Sequence, residues 1–341
     1  MFSDLKIKLL AGLLILFLFS IFGAIAFVQL LKSASRAGEN SQSANVKIIQ
    51  GMGLKEIADE LYSKKVIKSK IIFEIYSFLS DKSKIFKPGN YELDFNQSVP
   101  KIVEILTVGP REISAVITPG MTLKEIDDYL SSLRIVKKGS LANFDISQLK
   151  GKYLFLTKAF SLEGFLFPDT YNFFSDSDPQ AVIEKILDNF KTKVSQYPES
   201  LLFLNGGGNM NWLILASILE KEIIDAKERQ IAGGILEKRI KEGMPLQVDA
   251  SIIYARCEGR FVNCPLLAGS DFETDSRYNT YKYLGLPLSP ISNPGLDAIS
   301  AALHPIKSDY WYYLSDPKTK KTIFSKTLEE HNKNRVKYLT K

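Results

Sequence analysis

Residues 9–31 carry no charged side chain and consist mostly of Leu, Ile, Phe and Ala. As a helix this stretch is about 35 Å long, enough to cross a hydrocarbon core of roughly 30 Å. It predicts a membrane anchor over residues 1–32, with the span at 9–31. Two lysines precede the span, partly offset by Asp4, so we expect a cytoplasmic N-terminus and an exported body. The alternative is a signal peptide cleaved near residue 26, although apolar residues continue past that point.

Composition excludes some classes of function. The chain of 341 residues is long enough for more than one domain, and its formal net charge of +6 is mild. That charge suits an anionic cell surface, but no Lys/Arg-rich run interleaved with aromatic residues supports nucleic-acid binding. The two histidines lack zinc-ligand spacing, so we expect no metal and no cofactor. Cys257 and Cys264 form either a disulfide, which an exported compartment permits, or two free buried thiols.

An internal repeat follows a short polar segment. Residues 33–45 are small and polar, which indicates a flexible linker. Residues 46–61 match residues 116–130, and each copy is a short apolar strand, a turn and a helix with apolar residues at helical spacing. A weaker third copy follows Pro88, with Ser98 as the expected N-cap of its helix.

This strand–turn–helix unit resembles the LysM-type modules of wall-binding proteins, although such units are also common packing pieces. We therefore expect a LysM-like module over residues 46–110, and a second copy with a connecting region over 111–205. Short strands with helices grouped after them indicate an α+β fold rather than a regular βαβ repeat. Residues 206–341 then form a C-terminal α+β domain.

A mostly apolar helix over residues 212–224 contains two carboxylates, Glu220 and Glu222. They are about 200° apart around the helix axis and cannot both face one cleft. Ala216 and Ser217, one turn before Glu220, leave room for a ligand, while the isoleucines one turn after it favour a raised carboxyl pKa. A carboxyl protonated near neutral pH is what glycosidic bond cleavage requires. Alternatively, both glutamates are surface residues where the helix emerges into solvent.

The segments after this helix contain further polar candidates. Asp225 and Glu228 have the spacing of a capping box that opens a helix over residues 226–242, and Gly243 ends it. The next segment is extended and places Gln247 and Asp249 on one side of a strand. A loop-rich tract over residues 278–295 is rich in Tyr, Asn, Pro and Gly, which are common in sugar sites and in ordinary turns.

Taken together, the ordered motifs resemble the YceG-like (MltG-type) endolytic murein transglycosylases over nearly the whole chain. The motifs are Glu163-Gly164, Phe167–Tyr171, Ala216–Glu222, Glu228-Arg229, Arg239, Gly243-Met244, Leu246-Gln247, Asp249, Tyr254, Tyr278–Tyr281, Gly285–Pro287, Asn293–Gly295, Ala301–Pro305 and His331-Asn332. The loop between the two cysteines and Val248 depart from the family pattern.

The resemblance implies a YceG-like catalytic domain over residues 206–341, with Glu220 as the catalytic residue. It implies a single-pass inner-membrane protein with a periplasmic catalytic domain that cuts MurNAc–GlcNAc bonds of nascent strands, leaves 1,6-anhydroMurNAc ends and terminates glycan elongation. Substrate contacts are expected from Ser217, Gln247, Asp249, Tyr254, Asn279 and Tyr281. Glycan strands and the membrane are the expected partners, with peptidoglycan synthases as an open alternative.

Two other functions stay open at this point. A non-catalytic wall-binding scaffold would use the LysM-like repeat to recruit synthases. A hydrolytic muramidase would need a second carboxylate beside the acid, and Asp249 is the best candidate for it.

Overall fold

A computed structural model describes residues 14, 16–18, 20–29, 31 and 43–339 of the chain. The chain divides into two compact units, Met1–Ile113 with Phe174–Asp176, and Ser114–Phe173 with Ser177–Lys341. Both helices and short strands occur in each unit, so the predicted α+β class is confirmed.

The predicted membrane span lies partly outside the described residues. Within it, residues 14, 16–18 and 20–29 are helical. Among the residues that the structure describes, no helix reaches both the length and the apolar character needed to cross a membrane. Residues 33–42 of the predicted linker also lie outside the described part, and its last residues, from Ser43, already belong to a strand.

Over residues 43–113 of the first unit, two strands and three helices enclose one core. The elements are β1 (Ser43–Ile48), α1 (Leu54–Ser63), α2 (Lys70–Leu79), β2 (Gly89–Asp94) and α3 (Val99–Val108). The two strands pair antiparallel, with Val46 opposite Tyr91. Alternate β1 residues and one face of each helix are buried, as expected from periods of 2 and 3.6 residues. The helix expected after Ser98 is confirmed, although the Ser98 side chain makes no cap hydrogen bond.

The second unit is mainly helical. Its elements are β3 (Glu112–Val116), α4 (Leu123–Ser132), β4 (Thr170–Phe174), α5 (Pro179–Val194), α6 (Leu201–Leu204), α7 (Asn211–Glu222), α8 (Ala226–Lys241), α9 (Asp249–Arg256), α10 (Leu296–Leu303), β5 (Tyr312–Ser315), β6 (Thr322–Ser325) and α11 (Leu328–Leu339). Strand β3 pairs with β4, and β5 forms an antiparallel hairpin with β6. The second copy of the strand–turn–helix repeat is confirmed as β3 and α4.

Helix α7 lies at the centre of this unit. Residues 213–219 are all buried, and α8, α9 and α10 pack against the helix. The hairpin of β5 and β6 packs against α11. A helix that is apolar all round needs such neighbours on every side, so only its C-terminal end is left for polar residues.

Two local predictions need correction. Asp225 caps α8 by accepting from the amides of Lys227 and Glu228, but the Glu228 carboxylate accepts from the amide of Thr322 and does not complete a capping box. The segment before Asp249 is not a strand. Gln247 has a φ of 55°, and Asp249 is the first residue of α9. The C′ glycine of α8 is confirmed, since Gly243 has a φ of 65°.

Candidate active site

The last turn of α7 carries both glutamates, and they enter different surroundings. Their separation of about 200° around the helix axis sends one side chain toward the N-terminal part of α8 and the other toward the start of α9. Glu220 contacts Arg229, whereas Glu222 contacts Ala250. The prediction that they cannot share a cleft is confirmed.

Glu220 has both carboxylate oxygens occupied. Its Oε1 accepts from Nη2 of Arg229 at 2.7 Å, and its Oε2 accepts from the amide of Gly295 at 2.9 Å. The side chain is only 6% exposed, and the Arg229 side chain is 10% exposed. The expected apolar surroundings of Glu220 are therefore wrong, because a guanidinium and a backbone N–H face it. The carboxylate joins α7, α8 and the loop before α10.

Glu222 is partly buried and lines an open cavity of about 580 Å³. Its Oε1 accepts one weak hydrogen bond of 3.4 Å from the amide of Ala250. Burial, followed by the negative charge of Asp249, raises the pKa of Glu222 to about 7, against the smaller effect of the Ala250 amide. The sequence interpretation missed Glu222 as a candidate, although its position two residues after Glu220 predicted a separate environment.

The cavity is formed by segments that are far apart in sequence. Its lining residues are Glu222, Arg239, Leu246, Gln247, Asp249, Phe272, Tyr281, Tyr312, Tyr313, Leu314, Ser315, Leu328, His331, Asn332, Arg335 and Leu339. Three of the predicted substrate-binding residues, Gln247, Asp249 and Tyr281, are among them. Glu220 is not, although it lies on the same turn of helix as Glu222.

The hydroxyls of Tyr281 and Tyr313, which line the cavity, stay protonated. Tyr281 donates a hydrogen bond of 2.6 Å to Oδ1 of Asp249. Burial raises the pKa of Tyr281, and the hydrogen bond to Asp249 raises it further. Burial also raises the pKa of Tyr313, with the charge of Glu222 next in importance. The cavity therefore offers neutral hydroxyl donors beside two carboxyl groups.

Asn279 and Ser217, two other predicted substrate-binding residues, hold backbone segments near the cavity in place. Asn279 is 1% exposed, and its amide group donates to the carbonyls of Phe272 and Thr274 while its Oδ1 accepts from the amide of Tyr281. Asn279 thus fixes the turn that carries Tyr281. Ser217 is fully buried and accepts from the amide of Ile291, which holds the loop before α10 against α7. Neither side chain lines the cavity.

Tyr254 leads to a second buried carboxyl that the sequence interpretation did not assign. Its hydroxyl donates to Oε2 of Glu163 at 3.0 Å. Glu163 also accepts from the amide of Leu123 and from the side-chain amide of Asn293. Burial raises the pKa of Glu163 to about 8. The signal in the sequence was the Glu163-Gly164 motif. The structure explains its glycine, because Gly164 has a φ of 91° and a Cβ there would lie 2.6 Å from Pro290.

Cys257 and Cys264 form a disulfide that closes the loop after α9. The loop is held against α4, because the amides of Phe261 and Val262 both donate to Oε1 of Glu125. The Phe261 ring lies under the ammonium of Lys221, 3.7 Å from its centroid. Lys221 separates the two glutamates in sequence, so this loop supports the same turn of α7.

Comparison with known proteins gives a consistent picture. An endolytic murein transglycosylase of Bacillus subtilis is 32% identical, over 89% of this chain and 86% of that protein. An endolytic murein transglycosylase of Streptococcus pneumoniae is 28% identical, over 97% of this chain and 65% of that protein. The crystal structure of a YceG-like protein from Listeria monocytogenes is 32% identical with a TM-score of 0.58, and it covers 86% of this chain and 100% of that one.

A family model covers nearly all of the second unit and most of the first. Residues 46–337 match the model of the YceG-like family. The matched range includes the α7 glutamates, the disulfide loop and every cavity-lining residue except Leu339. The chain therefore belongs to the YceG-like family.

Proposed function

We propose that this chain cleaves the glycan strands of peptidoglycan as an endolytic lytic transglycosylase, with Glu222 as its acid and base. The relatives named as endolytic murein transglycosylases support the reaction class. The observation that carries the residue assignment is Glu222 itself. Its carboxyl lines an open cavity, and its pKa is raised to about 7.

The proposal moves the acid/base role from Glu220 to Glu222. A general acid needs a proton near neutral pH and an unobstructed path to the leaving oxygen. The carboxylate of Glu220 accepts from Arg229 and Gly295 through both of its oxygens. Glu222 accepts only one weak hydrogen bond, so it is free to donate.

Asp249 supports the same assignment. Burial raises the pKa of Glu222 most, and the negative charge of Asp249 raises it further. The hydroxyl of Tyr281 donates a hydrogen bond to Oδ1 of Asp249. Two adjacent carboxyl groups with different surroundings are a common arrangement in enzymes that cleave glycosidic bonds.

The mechanism needs one carboxyl and no water. Protonated Glu222 donates its proton to the oxygen that joins C1 of MurNAc to GlcNAc, and the C1–O bond breaks. The carboxylate that results accepts the proton of the C6 hydroxyl of the same MurNAc. The C6 oxygen bonds to C1, which gives a 1,6-anhydro end and returns Glu222 to its protonated form. The negative charge of Asp249 stabilises the positive charge that develops on the sugar.

A hydrolytic muramidase is the nearest alternative. Asp249 lies beside Glu222, and a second carboxyl at the right separation would activate water or form a glycosyl–enzyme intermediate. The two reactions differ in their products. Hydrolysis leaves a reducing end, whereas the lytic reaction leaves an end lighter by one water.

The first unit supports substrate capture. The order β1, α1, α2, β2, with the two strands paired antiparallel, is consistent with the proposed LysM-like module. The non-catalytic scaffold would use this module alone. We also propose that the apolar segment over residues 9–31 anchors the protein in the cytoplasmic membrane, with its catalytic domain outside, where nascent strands and their synthases lie.

The deciding experiment compares two glutamine variants with the wild type. Full-length protein in detergent is incubated with uncrosslinked glycan strands, and the products are weighed by mass spectrometry. We expect anhydro ends from the wild type and from Glu242→Gln, a surface control with the same change of charge. Glu222→Gln should give no product while it still binds glycan.

Other outcomes identify the alternatives. Reducing ends would assign the chain as a muramidase, and binding without cleavage by the wild type would assign it as a scaffold. Normal turnover by Glu222→Gln, with complete loss in a folded Glu220→Gln variant, would return the acid/base role to Glu220.

A further inference from the structure

Two guanidinium groups line the same cavity as the carboxyl groups of Glu222 and Asp249, and neither is neutralised by a carboxylate of the described chain. Arg239 comes from the last turn of α8, and Arg335 comes from α11. Neither Arg239 nor Arg335 forms an ion pair with a carboxylate among residues 43–339, in contrast to Arg229, Arg256 and Arg260.

Arg239 is a nearly buried cation held only by neutral groups. It is 5% exposed. Its Nε donates to the carbonyl of Trp311 at 2.9 Å, its Nη1 donates to the carbonyl of Leu246 at 2.8 Å, and the group lies 5.0 Å from the centroid of the Tyr312 ring. Its Nη2 makes no hydrogen bond within the described chain. Buried charges are usually paired, so an unpaired guanidinium at a cavity wall is a site for an anion.

Arg335 is exposed to solvent and adds a second positive charge to the cavity. Both guanidinium groups act on His331, whose pKa is lowered first by burial and then by the charges of Arg335 and Arg239. The imidazole is therefore neutral at neutral pH, and the two arginines supply the positive charge of the cavity. The charge of Arg335 also acts on Tyr281, where it opposes the rise in pKa, and Tyr281 donates a hydrogen bond to Asp249.

The proposed substrate limits which anion can bind there. The sugar rings of a peptidoglycan strand are neutral. Its carboxylates are carried on the lactyl group at C3 of MurNAc, either as the free lactyl carboxylate of a peptide-free unit or within the attached stem peptide. An arginine fork matches a carboxylate in geometry as well as in charge.

We propose that Arg239 and Arg335 form a subsite that binds a carboxylate on the C3 substituent of MurNAc. The inference rests on the proposed function, because it assumes a muramyl strand in the cavity. The subsite distinguishes MurNAc from GlcNAc at the position next to the cleaved bond. The negative charge of Asp249 repels the same carboxylate, so the strand is oriented with its substituent toward α11 and its C1 toward Glu222.

The test measures binding without turnover. Full-length protein carrying Glu222→Gln is titrated calorimetrically with three probes, which are strands with stem peptides, strands freed of peptides by an amidase, and a chitooligosaccharide with no carboxylate. Each titration is repeated with Arg335→Gln added. Lys337→Gln, the same charge change on the same helix but outside the cavity, is the matched control.

We expect Arg335→Gln to weaken binding of carboxylate-bearing strands about tenfold, the usual size of one charge-assisted hydrogen bond. Binding of the chitooligosaccharide and of the Lys337→Gln control should not change. A loss confined to peptide-free strands identifies the free lactyl carboxylate, a loss confined to peptide-bearing strands identifies the stem peptide, and a loss with both shows that the subsite accepts either carboxylate. Arg335 is exposed, so this variant should fold normally.

Equal affinities for all probes, or an equal loss for all of them in Arg335→Gln, would overturn the subsite. This outcome is separate from a failure of the proposed function. If the wild type cleaves strands but Arg335→Gln binds every probe normally, only the subsite is wrong. If the wild type cleaves nothing, the reaction is wrong whatever the titrations give.

Discussion

The hydroxyl of Tyr281 donates a hydrogen bond of 2.6 Å to Oδ1 of Asp249, whose negative charge adds to the effect of burial in raising the pKa of Glu222. The three residues come from α7, the first turn of α9 and the loop before α10. Tyr281 makes no hydrogen bond to Glu222 in the described structure, so it acts on the pKa of Glu222 through Asp249.

Tyr281→Phe should move the alkaline limb of the pH–rate profile to higher pH. Without the hydroxyl, the carboxylate of Asp249 loses a hydrogen-bond donor that offsets its negative charge, so that charge acts more strongly on Glu222. The pKa of Glu222 then rises from about 7, so the acid is kept to higher pH. Profiles of kcat/KM from pH 5 to 9 measure the shift.

Tyr283→Phe is the matched control for this prediction. Tyr283 donates to Asp275, a pair that lies outside the cavity, so the variant also removes one tyrosine–aspartate hydrogen bond. Its profile should coincide with that of the wild type. An unchanged limb in Tyr281→Phe would show that Asp249 does not set the proton of Glu222.

Glu220→Gln should destabilise the fold more than it changes the chemistry. The variant leaves the guanidinium of Arg229 buried without its charged partner, and breaking one side of a buried ion pair costs about 3 kcal/mol. Urea unfolding measures the loss in the free energy of unfolding. Turnover per folded molecule should persist, in contrast to Glu222→Gln, and a stable but inactive Glu220→Gln protein would contradict our assignment.

Glu163 should make the folded protein less stable as the pH rises. Its pKa is raised by burial to about 8 in the folded state, well above its ordinary value of 4.5. The unfolded state releases the proton at lower pH than the folded state does. The stability linked to this group is therefore full below about pH 4.5 and is lost as the pH rises toward 8.

Thermal unfolding at pH 5 and pH 8 tests this linkage. Glu163→Gln keeps an acceptor for the amide of Leu123 but cannot titrate. The fall in Tm between the two pH values should be smaller in the variant than in the wild type. The same fall in both proteins would mean that Glu163 does not titrate in this range.

Replacing both cysteines by serine should lower stability by about 2 kcal/mol, the loop-closure value for a ring of this size. The disulfide holds the loop whose amides bind Glu125 and whose Phe261 ring packs under Lys221. The effect should appear in urea unfolding and should be reproduced in the wild type by a reducing agent. Lack of any effect of the reducing agent on the wild type would show that the loop holds without its covalent link.

Much of the local structure could be predicted from sequence patterns. The two strand–turn–helix copies, the helix over residues 179–194 and the end of α8 at Gly243 follow from hydrophobic period and from the conformational freedom of glycine. The segment before α9 could not be predicted in this way. Gln247 adopts a positive φ because its amide and that of Val248 bind Thr280, a partner 32 to 33 residues away.

The sequence by itself determined that Glu220 and Glu222 point in different directions, because two residues along a helix always turn the side chain by about 200°. Only the tertiary structure decided which of them is held by an ion pair and which lines the cavity. Glu220 is bound by Arg229 of α8 and by Gly295 of the loop before α10. Glu222 shares its cavity with Asp249 of α9, Tyr281 of the same loop and Arg335 of α11. A helical pattern contains no information about which neighbours cover each face. Burial and the nearest charge set the protonation of a carboxyl, and both depend on that packing.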